Sequence, residues 1–272
     1  MLERRRFLAS TSAAIAAPIA TTILSACGDG NAADAPAAIS DTELQRQMNA
    51  RLAVQLKDTA AAEQISPQVL DFALTWQPPT IAVSRLNRIV AYGFGNRPNA
   101  QSGNTPTNGG NQAALPDPGP VNEKLADTVH AIYQQHPVKV YAQWEIARFL
   151  KSKYGLTDMV SIEPVTNPDG SITYLSTDGV AAKVVELEQN NAAGMGVVGV
   201  IGFRDHVKRC VLTSRDRGMN AFAPEGVAMP GEYDAQSGQA WTRRRDLYLL
   251  HDMSAQVQRL RAMAIAAAYP NG

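Results

Sequence analysis

The stretch from Val197 to Pro224 constrains the fold of this chain more than any other. Val197 to Phe203 is apolar and β-branched without alternation, the pattern of a strand covered on both faces of a parallel sheet. The period then changes. Val207, Cys210, Val211 and Ser214 recur at i, i+3, i+4 and i+7, so one helix face can lie on that sheet, and Gly218 stands where a left-handed C-cap is wanted. A second apolar run follows at once, and the whole reads as one βαβ crossover. Its turn places Arg204, Asp205 and His206 at the carboxyl end of a central strand and in the first turn of a helix, the edge at which open α/β sheets bind ligands.

The amino terminus has a different character. Met1 to Ser10 carries Arg4, Arg5 and Arg6, and an Ala-rich apolar run from Ala13 to Leu24 leads into Leu24-Ser25-Ala26-Cys27-Gly28. A charged region, an apolar region and a small-residue cleavage site make a signal peptide over residues 1–26. The run falls short of the roughly 20 residues that a spanning helix needs. The arginines before Phe7-Leu8 resemble a twin-arginine export signal, and Leu24 to Cys27 resembles a bacterial lipobox. The resemblance implies lipidation at Cys27 and a lipid anchor facing the periplasm or extracytoplasmic surface, with Gly28 favouring the outer membrane. Residues 27–39 are small and polar and read as the lipidated tether.

Processing leaves 245 residues beyond the lipidated cysteine, enough for one α/β domain with additions. The excised segment holds three Arg and one Glu, so 22 basic side chains face 24 acidic ones in the mature chain. No basic field is left to recruit nucleic acid. Cys210 lacks an intramolecular partner and reads as a small buried residue on its helix stripe.

Residues 40–80 predict a helical extension. Ser40-Asp41-Thr42-Glu43 is a capping box for a helix running to about Ala62 with Leu44, Met48, Leu52 and Leu56 on one face, and Ser66-Pro67 signals a second helix ending at Trp76. The extension either packs on the core or presents a docking hairpin. Residues 81–272 then predict a Rossmann-like α/β domain, doubly wound on a mainly parallel sheet. Arg88 to Asn96 reads as a strand ending in Gly93-Phe94-Gly95, which lacks the third glycine and immediate helix of a dinucleotide fingerprint, so no cofactor is specified. The Asn-, Gly- and Pro-rich insertion over 97–118 reads as a disordered surface loop or as a lid.

A helix from Pro120, a strand over Val138–Ala142 and a helix from Gln143-Trp144-Glu145 repeat the alternation. Met159–Glu163 is a third strand, Asn167-Pro168-Asp169-Gly170 a turn in a small hairpin, and Ser176 or Thr177 caps a helix to about Gln189. A long closing helix follows Trp241-Thr242, with Leu247, Leu250, Val257 and Leu260 expected toward the core. His251 and Asp252 are adjacent on it and point about 100° apart, which argues against their acting as a pair. No Cys/His set has metal spacing. The strand ends predict one shared cleft lined by Gly95, Asn96, Gln143, Glu145, Arg204, His206 and Arg209. In that cleft an acid in a first helical turn either complements the macrodipole or acts as a base.

Glycines ending the first strand, an acid ahead of Ile146-Ala147, a Glu on the third strand, Ser176-Thr177 before a helix, and Phe203, His206 and Arg209 after the last strand together resemble the YdcF/SanA family of bacterial envelope proteins. The likeness covers residues 85 to 224; Ala142-Gln143-Trp144 replaces the usual Ser-Gly-Gly, and Arg204-Asp205 intrudes before His206. The resemblance implies ligand binding by Gly93, Gly95 and Thr177 and adds Glu163 to Glu145 and His206 as catalytic candidates. It also implies a small anionic, phosphate-bearing ligand of envelope metabolism. The alternative is a non-catalytic assembly or regulatory lipoprotein working through protein contacts. Neither composition nor spacing decides whether the protein is an enzyme, which ligand it takes or its oligomeric state.

Overall fold

A computed structural model describes residues 39–102 and 114–271. The signal peptide, Cys27 and nearly all of the tether lie outside the described residues, as does the middle of the insertion, 103–113. Six parallel strands form one sheet: β1 (Thr80–Ile81), β2 (Arg88–Ala91), β3 (Lys139–Gln143), β4 (Met159–Ile162), β7 (Val197–Ile201) and β8 (Asn220–Pro224), in the order β1-β8-β7-β2-β3-β4. Between β4 and β7 the short pair β5 (Val165–Thr166) and β6 (Ile172–Thr173) makes the expected hairpin, antiparallel around Asn167 to Gly170. From β2 the chain builds outward through β3 and β4, then returns to build the other way through β7 and β8. The direction of winding therefore reverses between β2 and β7.

Strand period and helix period together account for three layers. Alternate residues Ile89, Ala91, Val140 and Ala142 pack under α3 (Pro120–Gln135) and α4 (Trp144–Tyr154), against Leu125, Val129, Ile146 and Leu150. Their neighbours Val90, Tyr92 and Tyr141 pack on the other face with α5 (Thr177–Glu188) and α6 (Val207–Asp216). The stripe read from the sequence is buried in full: Val207, Cys210, Val211 and Ser214 all face the sheet, and Ser214 Oγ lies 2.6 Å from the buried Tyr92 hydroxyl. Gly218 closes the end of α6 with φ +85°, a conformation that costs glycine little. The long closing helix α7 (Arg245–Ala268) completes the fold.

Three expectations change. The first predicted helix divides: α1 (Asp41–Leu56) ends where Lys57 takes φ +54°, and Asp58 caps α2 (Thr59–Val69) by accepting from the Ala61 N–H at 3.0 Å. Pro67 lies inside α2, which widens into a π turn over Leu70–Leu74 and stops before Trp76. The insertion is not loose at its ends. Arg97 and Asp117 pair as an antiparallel bridge, Asn99 Nδ2 donates to the Leu115 carbonyl, and Arg97 is bidentate to Asp234. The third change concerns the face of α7. Its buried residues are Tyr248, Asp252 and Gln256, while Leu247, Leu250 and Val257 are exposed. The polar stripe turns inward because the largely covered cation of Arg209 pairs there with Asp252.

Candidate functional site

At the reversal between β2 and β7, on the carboxyl side of the strands, lies a cleft of about 510 Å³. This is where an α/β sheet leaves room for a ligand, because consecutive crossovers diverge to opposite faces. Gly93, Gly95, Asn96, Gln143, Glu145, Thr177, His206 and Arg209 all line it, as the sequence predicts. Arg204 and Glu163 do not. The Arg204 guanidinium pairs with Asp205 and lies against Gly231, in a turn that Tyr233 and Arg245 also fix through the Asp205 carboxylate. Glu163 follows the edge strand β4, is exposed, and accepts from the Ser161 hydroxyl at 2.6 Å. Its position beyond the outermost strand sets it back from the cleft.

The glycine turn after β2 is held open by side chains. Gln143 Oε1 accepts from the Gly93 N–H at 2.9 Å and Asn122 Oδ1 from the Phe94 N–H at 2.8 Å, while Asn122 Nδ2 donates to the Gly95 and Pro118 carbonyls. A Cβ at residue 93 would stand 3.1 Å from Glu145 Oε2, and one at residue 95 would stand 2.8 Å from Ser237 Oγ at φ +63°. Glycine at both positions lets the backbone approach the acid and the loop.

Glu145, in the first turn of α4, is 3% exposed. Burial favours its neutral form and the charge of Glu163 adds to that, outweighing its hydrogen bonds with Asn96 and backbone, so its pKa is pushed up to about 8. Its Oε2 has no hydrogen-bond partner, and neither does the buried Tyr174 hydroxyl. Two unsatisfied buried groups on one wall are unusual away from functional sites.

The opposite wall is an ionic network around Arg209 and Asp252. Arg209 donates through Nε to Asp252 at 2.6 Å, through Nη1 to Thr177 Oγ1 at 3.1 Å and through Nη2 to the Tyr248 hydroxyl at 3.1 Å. Gln256 and Tyr248 donate to Asp252 as well. Burial would raise the Asp252 pKa, but His206 and Arg209 overcome it and carry it down to about 2. His206 caps α6, with Nε2 at 3.4 Å from Thr177 Oγ1 and Nδ1 at 3.6 Å from Asp252. Burial and the Arg209 charge lower its pKa to about 4, so at neutral pH the imidazole is uncharged. His206 is buried and Arg209 largely so, both on the cleft where the sequence reading places them. At the mouth, Trp241 stacks on His251 with ring centroids 5.1 Å apart. Adjacent positions on α7 thus serve one cleft through different partners. Asp252, Tyr248, Trp241 and Asn122 are the residues that sequence reasoning misses.

Thr177 opens α5, whose cap is the Ser176 hydroxyl accepting from the Gly179 N–H. The positive end of that helix and the remaining Arg209 N–H groups share the cleft with a neutral acid. The arrangement can grip an oxyanion on one side and donate a proton or hydrogen bond from the other. No protein-family model, curated protein or solved structure matches this chain.

Proposed function

We propose that this protein is an exported bacterial lipoprotein, anchored through Cys27, whose YdcF/SanA-like domain binds or processes a small phosphate-bearing ligand in cell-envelope metabolism. The observation that carries the reading is the grip of Arg209: Asp252 and Tyr248 orient its fork while Thr177 ties it to the first turn of α5, so a cation and a helix N-terminus share one wall of the cleft. Glu145 supplies a neutral acid on the other wall. His206, uncharged, orients Thr177 or takes a proton from the ligand.

The test is retention of an anion by the exported, membrane-extracted protein under native mass spectrometry, compared with Arg209→Lys. Lysine keeps the charge that Asp252 needs but loses the planar fork. A ligand retained by the wild type and lost, or bound at least about tenfold more weakly, by the variant supports the reading. Equal retention in both removes Arg209 from the site.

One observation favours a second reading, an assembly or regulatory factor working through its helical extension. α1 buries none of its residues, and Val54, Leu56, Ile65 and Leu74 are exposed. Deletion of residues 41–56 that abolishes complementation while ligand retention persists would select it.

A further inference from the structure

Building on the anion-site reading, we propose that the cleft takes a singly charged phosphodiester in preference to a doubly charged phosphomonoester, with the Glu145 carboxyl donating a hydrogen bond to a ligand oxygen. The argument is one of charge matching. Arg209 is the one Lys or Arg among the described residues lining the cleft, and its charge is already met by Asp252, which is 1% exposed. His206 and His251 both have lowered pKa values, chiefly through burial, and are neutral at pH 7. What remains for a ligand is the partial positive charge of the helix N-termini that open on the cleft, at Gln143, Ser176 and His206, and the free Arg209 N–H groups, with no further full cation among the described lining residues. That suits one negative charge. A second would enter a low-dielectric cleft without a cation to meet it.

Glu145 provides an independent second observation. Its Oε2 is buried, faces the cleft and lacks a partner, which is costly unless a ligand atom satisfies it. The groups around it are Asn96 on the turn after β2, Gln143 at the end of β3, Glu163 after β4, Tyr174 after β6 and Arg148 on its own helix. Of these only Arg148 favours ionisation by its charge, and burial prevails over it. A protonated carboxyl is a donor to an ester or free phosphoryl oxygen; an ionised one would repel any anion. The aromatic mouth of Trp241 and Tyr174 can receive the second ester substituent, which a monoester lacks.

The experiment is titration calorimetry of the full-length processed protein with phenyl phosphate and methyl phenyl phosphate, the first a dianion at pH 7.5 because its second pKa is about 6. The diester is expected to bind at least about tenfold more tightly at pH 7.5, and phenyl phosphate to gain affinity on going to pH 5. Diester affinity should fall between pH 7 and 9 as Glu145 ionises, and Glu145→Gln should flatten that fall, since an amide cannot ionise. A monoester that binds as tightly as the diester at pH 7.5, or an unchanged pH profile in Glu145→Gln, overturns the inference. If the two probes bind equally tightly and Arg209→Lys weakens both, the anion site stands without the diester preference. If neither probe binds, or Arg209→Lys leaves both affinities unchanged, the anion-site reading itself fails, and the inference with it.

Discussion

Glu145 and Glu188 are buried glutamates on helices that flank the same sheet, and they lie at opposite ends of its strands. Glu188, in the last turn of α5, meets the first residues of β2 and β3: Arg88, Lys139 and the Tyr141 hydroxyl all donate to Oε1, and Asn191 to Oε2. Burial would raise its pKa, yet these donors carry it down to about 2. Glu145 is similarly buried at the carboxyl end of the strands, and there the same side chain is left with an oxygen free and a pKa of about 8. The difference is in what surrounds the charge. At the amino edge the fold saturates a carboxylate and uses it as a clamp across two strands. At the carboxyl edge it withholds partners, keeps the acid neutral and faces it into a cleft. For these two acids, the unsatisfied one faces the cleft and the satisfied one ties the scaffold together.

Breaking the clamp should produce the larger effect. Glu188→Ala leaves Arg88, Lys139 and the Tyr141 hydroxyl around an empty acceptor position; with Arg88 and Lys139 partly exposed, it is expected to cost about 2–3 kcal/mol in the free energy of urea unfolding at pH 7. A loss under about 1 kcal/mol would mean that water replaces the carboxylate at little cost. Glu145→Gln should act in the other direction. Only the unfolded chain sheds that proton between its ordinary value of 4.5 and the folded value of about 8, so the acid's contribution to stability is present below pH 4.5 and declines as pH rises to about 8. The amide has no proton to shed, and the variant is expected to gain about 1–2 kcal/mol at pH 8 and to lose ligand discrimination. For Glu188 the sign is reversed: its contribution is present above pH 4.5 and is lost as pH falls toward 2.

Much of this geometry is legible in the chain because each wall begins where one period gives way to another. Strand ends at Gln143 and Phe203 can be placed where an apolar run gives way to a 3.6-residue period, and the end at Gly93 by its glycines; a parallel sheet then brings them to one edge. Of the residues that the resemblance adds, Thr177 lines the cleft and Glu163 does not, since the resemblance does not show that β4 is the outermost strand. Arg204 is kept out of the cleft lining for a local reason: Asp205, next in the chain, holds its guanidinium. Asp252 is illegible for a different one. A polar residue in an amphipathic helix reads as solvent-facing, and here its partner Arg209 stands 43 residues away. That pair lies on the inward face of α7, and Leu247, Leu250 and Val257 are exposed. Asn122 is likewise hidden, because a turn that it pins, Phe94 to Gly95, lies across the insertion.

The contrast between the two glutamates can be read directly from the protein. In a carboxyl-carbon NMR titration of protein labelled at glutamate, with Glu145→Gln and Glu188→Gln assigning the two resonances, Glu145 is expected to titrate near pH 8 and Glu188 near pH 2. A Glu145 resonance that titrates at the ordinary 4.5 would show a carboxylate ionised at neutral pH, and would contradict the neutral acid on which this account of the cleft depends.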